Sequence, residues 1–417
     1  MMLRKIIETI FSKGITAISN FATVIITSAY LGAAIRGEIA LLLLSVNIVN
    51  LFQVILGGPA LAYLSPNHSV RDLAGLAFIW NLLFGFLVSW LLVILQLLPM
   101  ELFNFVLVIS ILQGILSIIQ NLLIGKDEIS KQNILEIIRA LIVTGFIVFA
   151  LTMQHYTDVA YVYYAYVLAN SIVALIGIIF LWPYLVRSVR IDSLSTLFRK
   201  MANFGFQVQF NNISQIINYR FVYYLIEKWK GLEALGIFSV AVSIGEATWV
   251  ICRSIATFQT SKVVNEKDPK KQVTLTILMS KLSIVLTLVA LIVLFLLPTS
   301  LYIWLLRRPE FSDIKFLLAC FSGGIFFLAI FTIFNHYFTA TNQNIVNIRA
   351  SLFGNLVTIP TGIILIHWYS IYGGALTYTV VNLAMLVYLF YQFKKRTRSR
   401  LSHFTLRKED FRIFSQH

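Results

Sequence analysis

Charged side chains that interrupt long apolar runs are the residues of this sequence with the clearest potential for chemistry. A charge near the bilayer centre costs at least about 2.5 kcal/mol, so it normally faces a polar cavity and serves a function. Two carboxylates of this kind occur, Glu136 and Glu246. The cations are more numerous, namely Lys13, Arg139, Arg220, Arg253, Lys281 and Arg349. This excess predicts a cavity that binds an anion, and phosphate is favoured because Arg forks match its oxygens.

Some of these charges have a simpler explanation as ion pairs. Glu136 and Arg139 would share one helix face at a spacing of three residues, where they can neutralise each other. Glu246 and Arg253 are separated by two helical turns and can form a structural pair inside a bundle. For these four residues, binding and neutralisation both stay open.

The other cations differ in how easily they reach water. Arg349 lies near the end of its apolar run and Lys281 about two turns inside, so both side chains can extend to the interface. Lys13 and Arg220 are harder to explain in that way. The residues before Arg220 form a polar stripe, which must face a water-filled cavity or another part of the protein. The stripe consists of Asn211, Asn212, Ser214, Gln215, Asn218 and Tyr219.

No catalytic or metal-binding pattern accompanies these charges. Cys252 and Cys320 each lie in an apolar stretch and are expected to be small buried residues. No phosphate-cradling glycine loop occurs, so an ATP-driven pump is not expected. We expect neither an enzyme nor a bound metal or other cofactor. The histidines lack acidic or cysteine partners at useful spacing; they are His68, His155, His336, His367, His403 and His417.

The composition places these residues in membrane-spanning helices. The 417 residues are 59% hydrophobic and 12% charged, with a mean hydropathy of +0.83, whereas soluble domains carry about 25% charge. A span needs about 20 apolar residues, so this length holds roughly twelve. The predicted spans are residues 6–31, 38–64, 74–98, 102–125, 132–153, 160–186, 202–226, 234–260, 273–298, 313–340, 344–366 and 371–393.

The basic residues predict the orientation of these spans. The net charge is +15, but Lys and Arg occur between apolar runs, so they indicate topology and not nucleic-acid binding. With both termini cytoplasmic, the cytoplasmic side holds Arg4, Lys5, Arg71, Lys126, Lys131, Arg187, Arg190, Arg199, Lys200, Lys262, Lys267, Lys270, Lys271 and the tail. The outer side holds Arg36, Lys228, Lys230, Arg307 and Arg308.

The two halves of the chain resemble each other in order and spacing, which is typical of transporters built from repeats. Matching segments are the turns Leu31-Gly-Ala-Ala-Ile-Arg-Gly37 and Lys230-Gly-Leu-Glu-Ala-Leu-Gly236, the span openings Gln132-Asn-Ile134 and Gln343-Asn-Ile345, and the pair Asn170 and Asn382. The sequence therefore predicts two pseudo-symmetric six-helix bundles. Their predicted bounds are residues 1–190 and 202–393, with a cytoplasmic linker at 191–201 and a basic cytoplasmic tail at 394–417 that rests on anionic headgroups.

Three short motifs at the span ends carry a family resemblance. They are Tyr30-Leu-Gly32, Arg36-Gly-Glu38 and Ala234-Leu-Gly-Ile-Phe-Ser239. Together with the span arrangement, they resemble the polysaccharide (O-antigen type) flippases of the multidrug/oligosaccharidyl-lipid/polysaccharide (MOP) exporter superfamily. The twelve predicted spans do not include the extra pair usual in lipid II flippases, so that subfamily is less expected.

The resemblance implies an all-α, V-shaped protein in the bacterial inner membrane. Such a protein flips an undecaprenyl-pyrophosphate-linked oligosaccharide by alternating access, and it works beside membrane lipids and polysaccharide polymerase machinery. The resemblance places substrate contacts at Lys13, Arg220, Arg253 and Lys281, and coupling to H⁺ or Na⁺ at Glu246.

Two other functions stay open from the residues. A drug or cation antiporter of the same fold would need essential carboxylates and tolerate substitution of Lys13 or Arg220. A membrane-embedded glycan-assembly enzyme would need acidic or histidine residues exposed at one membrane face, and only isolated ones occur. A tyrosine cluster near the outer end of span six would contact sugar rings or belong to an interfacial aromatic belt; it comprises Tyr161, Tyr163, Tyr164 and Tyr166.

Overall fold

The chain folds into α-helices that are long enough to cross a bilayer. A computed structural model describes residues 2–154, 158–186, 193–341 and 343–398. Its helices are α1 (Met2–Gly57), α2 (Pro59–Leu64), α3 (Val70–Ile94), α4 (Phe103–Gly125), α5 (Ile129–Val148), α6 (Ala160–Val186), α7 (Leu194–Asn265), α8 (Pro269–Leu296), α9 (Thr299–Leu306), α10 (Ile314–Ala340) and α11 (Asn344–Thr397). A π-helical turn, Phe149–Met153, extends α5.

Nine helical stretches within the described residues are apolar and long enough to span a membrane. Three of them, in α1, α7 and α11, run over 41 to 54 residues, about twice the length that one crossing needs. Each of these three helices contains one residue with non-helical backbone angles. Counting both sides of each break gives the predicted twelve segments, and the prediction of an all-α, multi-pass membrane protein is confirmed.

Two of the three breaks are glycines in the same conformation. Gly32 in α1 has φ 83° and ψ 177°, and Gly231 in α7 has φ 86° and ψ 177°. Side chains are strongly disfavoured at these angles, so the sequence uses glycine there. Both lie in the repeated turn found in the sequence, which explains why that turn recurs. The third break, Ser370 in α11, has φ 54°.

Replacement of Gly231 by Ala tests this account of the breaks. A Cβ atom at Gly231 would meet no other atom within 4 Å, so the cost comes from the backbone alone. We expect Gly231→Ala to lower the free energy of unfolding by about 1–3 kcal/mol, measured by thermal unfolding in detergent. Gly145→Ala is the control, because Gly145 has equal room but lies inside helix α5. Equal effects from both variants would contradict the assignment.

The chain divides into two compact units, Met1–Ile213 and Ser214–His417. In the first unit, α1 packs against α3, α4 and α5, and α6 packs against α4 and α5. Two apolar cores hold these helices, one around Val106 and Ile109 and the other around Leu122, Leu123 and Leu197.

The second unit has its own core. Helix α10 packs against α8 and against both parts of α11. The centre of this core is aromatic, with Phe334, Phe338 and Phe393 fully buried. These rings pack edge-on or tilted, for example Phe334 against Phe393 at 5.0 Å between centroids.

The ends of several segments differ from the predicted ones. Helix α7 begins at Leu194, inside the stretch 191–201 expected as a polar linker, because Ser193 caps the helix by accepting from the Thr196 amide. Helix α11 continues to Thr397, and Arg396 donates to Gln343 at the start of the same helix. The rest of the predicted tail, including Arg400, and linker residues 191 and 192 lie outside the described residues.

Candidate anion-binding cavity

A polar cavity of about 370 Å³ lies within the first unit. Its size is in the range of small-molecule binding pockets. Helices α1, α4, α5 and α6 form its wall, and most of the lining side chains are polar. The polar ones are Lys13, Thr16, Asn20, Thr23, Arg36, Asn47, Gln113, Gln120, Glu136, Arg139 and Tyr166.

Lys13 and Glu136 form an ion pair in this cavity. Lys13 Nζ lies 2.8 Å from Glu136 Oε1 and 2.7 Å from Oε2. Gln132, one turn earlier on α5, donates to Glu136 Oε1 at 2.7 Å. Neighbouring contacts hold α1 beside α5, because Ser12 donates to the Asn133 carbonyl at 3.2 Å. The Glu136 carboxylate thus accepts hydrogen bonds from Lys13 and Gln132, whereas Arg139, three residues along the same helix, donates to other side chains.

Arg139 is held by two amide side chains instead. Its Nε donates to Asn170 Oδ1 on α6 at 2.7 Å, and its Nη2 donates to Gln113 Oε1 on α4 at 3.3 Å. These bonds use one edge of the planar guanidinium. The other edge, formed by Nη1 and the second Nη2 proton, has no hydrogen-bond partner among the described residues, and Arg139 lines the cavity. An arginine fork fixed in this way suits an anion with paired oxygens.

Arg36 is a cavity residue that the sequence analysis did not select. It was expected in the turn between spans one and two, on the outer side, but it is part of a helix, its exposed fraction is only 5% and it lines the cavity. The reason is that Gly32 interrupts α1 at a single residue and no loop follows, so the helix resumes before Arg36. The signal that could have found it is the motif Arg36-Gly-Glu38 itself, whose Glu38 accepts from Tyr163 at 2.6 Å.

The composition of the wall favours an anionic ligand that also carries hydroxyl groups. Three cations, Lys13, Arg36 and Arg139, face one carboxylate, Glu136. The remaining polar groups are amides and hydroxyls, which can both donate and accept hydrogen bonds. This arrangement can neutralise phosphate oxygens and satisfy sugar hydroxyls at the same time.

Arg220 and Glu246 form the ion pair of the second unit. Arg220 Nη2 lies 3.0 Å from Glu246 Oε1, and Nη1 donates to Tyr223 at 2.7 Å. Both side chains line a small cavity of about 10 Å³, the size of roughly one water molecule. Glu246 was expected to pair with Arg253 as one alternative, and the structure gives it Arg220. In the polar stripe, Asn218 is buried and donates to the Ser351 carbonyl at 3.0 Å.

The other predicted cations of the second unit have three different environments. Arg253 is an exposed residue, and its guanidinium carbon lies 4.7 Å from the ring centre of Trp249. Lys281 is buried within α8, with an exposed fraction of 5%, which does not fit the alternative that it extends to the interface. Arg349 is exposed near the start of α11, as expected for a side chain that reaches the interface.

The predicted tyrosine cluster separates into different roles. Tyr166 lines the cavity, whereas Tyr163 is buried against Glu38. Tyr164 is exposed, and its ring packs edge-on against Tyr161 at 6.4 Å. One tyrosine of the four is therefore placed to contact a ligand in this cavity.

Among the described residues, no group of three or more His, Cys, Asp or Glu side chains is arranged to hold a metal ion. Cys252 is buried and shares a hydrogen bond with Thr287 at 3.1 Å, and Cys320 is half-buried. Of the histidines, His336 lies 2.8 Å from the Thr260 hydroxyl, while His155, His403 and His417 lie outside the described residues.

Comparison with solved structures identifies the fold. An inward-facing multidrug resistance MATE family transporter of the MOP superfamily is similar with a TM-score of 0.75 at 13% identity, covering 92% of this chain and 94% of that one. The fold is that of the MOP superfamily. The lipid II flippase MurJ, in an inward closed conformation, gives a TM-score of 0.78 at 12% identity, covering 95% and 89%. A MOP superfamily transporter from Pyrococcus furiosus gives a TM-score of 0.65 at 14% sequence identity, and the match covers 95% of both chains.

These similarities confirm the MOP-like fold class and extend over nearly the whole chain. The structures are those of transporters and a flippase, and none of the three is an enzyme of glycan assembly. No protein-family model and no curated protein sequence matches the chain. A proposal about the function of this chain therefore depends on the residues of the cavity.

Proposed function

We propose that this MOP-fold protein is a flippase for an undecaprenyl-pyrophosphate-linked oligosaccharide. It carries this lipid across the bacterial inner membrane by alternating access, for the assembly of a surface polysaccharide such as O-antigen, capsule or exopolysaccharide. Both termini are cytoplasmic in this proposal, polymerase machinery receives the product, and H⁺ or Na⁺ coupling involves Glu246.

The observation that carries the proposal is the cavity of the first unit. Its lining includes Lys13, Arg36 and Arg139 with a single carboxylate, Glu136, and the other polar lining groups are amides and hydroxyls. A pyrophosphate would bind the arginine fork and the ammonium group, and the adjacent sugar would bind the amides. We extend the contacts to Arg220, Arg253, Lys281 and Arg349 of the second unit as proposed substrate residues.

The pairing of the carboxylates argues against the cation antiporter. Such a carrier needs an acidic group that can bind its cargo, yet Glu136 is bound by Lys13 and Glu246 by Arg220. A cation entering either site would first have to displace an ammonium or guanidinium group. An anion meets no such obstacle at Arg139, which lines the cavity and has one guanidinium edge without a hydrogen-bond partner among the described residues.

The loss of Lys13 tests the proposal in cells. In a strain that lacks its own flippase, we expect Lys13→Ala to reduce surface glycan by about tenfold or more, because a charge-assisted hydrogen bond to the substrate is lost. Glycan is measured by gel electrophoresis of surface polysaccharide, and membrane insertion is checked by fractionation.

Lys131→Ala serves as the matched control. Lys131 is also paired with a carboxylate, Glu128, at 2.9 Å, but it does not line the cavity. Its substitution should leave the glycan unchanged. Normal glycan from an inserted Lys13→Ala protein would refute the cationic cavity. Loss of function on Glu246→Gln, together with full function of Lys13→Ala and Arg220→Ala, would favour the cation antiporter.

A further inference from the structure

The ion pair between Lys13 and Glu136 lies in the cavity to which we assign the anion. Both carboxylate oxygens of Glu136 contact the same ammonium group, at 2.8 and 2.7 Å. Two phosphate oxygens would approach Lys13 in the same way. The cavity therefore contains an anionic group of its own at the position of one proposed substrate contact.

The two partners of this ion pair differ in how firmly they are held. Glu136 has a side-chain exposure of 20% and keeps a second hydrogen bond from Gln132. Lys13 is 60% exposed and carries its charge on a flexible stem. Lys13 can thus turn towards a bound anion while Glu136 stays hydrogen-bonded to Gln132.

We infer that Glu136 competes with the transported anion for Lys13 and so weakens anion binding. The inference rests on the proposed function, because it requires an anion in this cavity. Competition acts in two ways: the anion must displace Glu136 from Lys13, and the displaced carboxylate then repels it. A carrier gains from this, since its cargo must bind strongly enough to enter and weakly enough to leave.

Glu136→Gln tests the inference with inorganic pyrophosphate as the probe. Gln has nearly the shape of Glu and can still accept a hydrogen bond from Lys13, but it carries no charge. We expect the dissociation constant of pyrophosphate to fall by about tenfold, measured by isothermal titration calorimetry on the full chain in nanodiscs. Glu136→Asp keeps the charge on a shorter side chain, so it should lower the dissociation constant of pyrophosphate by less than Glu136→Gln does.

Two comparisons separate competition from a structural role. Glu128→Gln removes a carboxylate that also binds a lysine, Lys131, but lies outside the cavity lining; it should leave the dissociation constant unchanged. In a Lys13→Ala background the gain in affinity from Glu136→Gln should be smaller, because no ammonium group remains to compete for and only the repulsion by the carboxylate is relieved.

The results can distinguish failure of the competition from failure of the proposed function. If Glu136→Gln binds pyrophosphate no more tightly than the parent protein, while Lys13→Ala still weakens binding, the competition is overturned and the anion cavity stands. If neither Lys13→Ala nor Arg139→Gln changes pyrophosphate binding, the cavity assignment fails, and the competition fails with it. An equal gain in affinity from Glu136→Gln in the parent and Lys13→Ala backgrounds also overturns competition for Lys13.

Discussion

Arg139→Gln is expected to abolish substrate flipping and to weaken pyrophosphate binding by at least about thirtyfold. Truncating one partner of a desolvated charge contact costs about 2–5 kcal/mol, which corresponds to this factor or more. The guanidinium is fixed by Asn170 at 2.7 Å and by Gln113 at 3.3 Å. Because these bonds orient the free edge before the anion arrives, little ordering cost remains at binding.

Arg139→Lys makes the same prediction more specific. A lysine keeps the positive charge and can reach one amide oxygen, but it cannot present two parallel donors. We therefore expect it to restore less than half of the lost binding free energy in pyrophosphate titrations. Arg71→Gln is the control, since Arg71 is exposed on α3 and does not line the cavity. Full activity of Arg139→Lys would show that only the charge matters.

The fold was predictable because membrane helices follow a simple physical rule. Every backbone polar group in the bilayer must be satisfied internally, so apolar runs of sufficient length become helices. The repeat was also visible, because Gly32 and Gly231 adopt backbone angles that favour glycine. The helix ends were less predictable. Helix α7, for example, begins at Leu194 because the Ser193 side chain caps the helix there.

The contacts of the site were predictable only in part. Residue types indicated that Lys13 and Arg139 would face a polar cavity, and both line it. Their partners lie far away in sequence, Glu136 for Lys13 and Asn170 for Arg139. Spacing along one helix cannot show such contacts, so it suggested the pair Glu136 and Arg139 instead.

The repeat was a poor guide to chemistry. Asn170 accepts from Arg139, whereas its counterpart Asn382 donates to the Tyr378 carbonyl in its own helix at 2.8 Å. Gln132 donates to the Glu136 carboxylate, but Gln343 accepts from a guanidinium. Similar positions in the two halves therefore support one backbone arrangement while their side chains bind different groups.

Arg220→Ala is expected to impair both stability and flipping, and the two losses can be separated. The substitution leaves Glu246 without the guanidinium at 3.0 Å and removes the bond to Tyr223. Because Arg220 and Glu246 are 30% and 45% exposed, solvent screens part of the charge, and we expect a loss of about 1–3 kcal/mol. Thermal unfolding in detergent measures this loss, and glycan complementation measures flipping.

The double variant Arg220→Ala, Glu246→Gln decides what Arg220 does. It removes both charges, so no uncompensated carboxylate remains, and it should recover most of the lost stability. Flipping should nevertheless stay below that of Glu246→Gln alone, since Arg220 has donors beyond those used by Tyr223 and Glu246, and we assign these to the substrate. Recovery of flipping together with stability would show that Arg220 only neutralises Glu246. The anion contacts would then lie in the first unit, at Lys13 and Arg139.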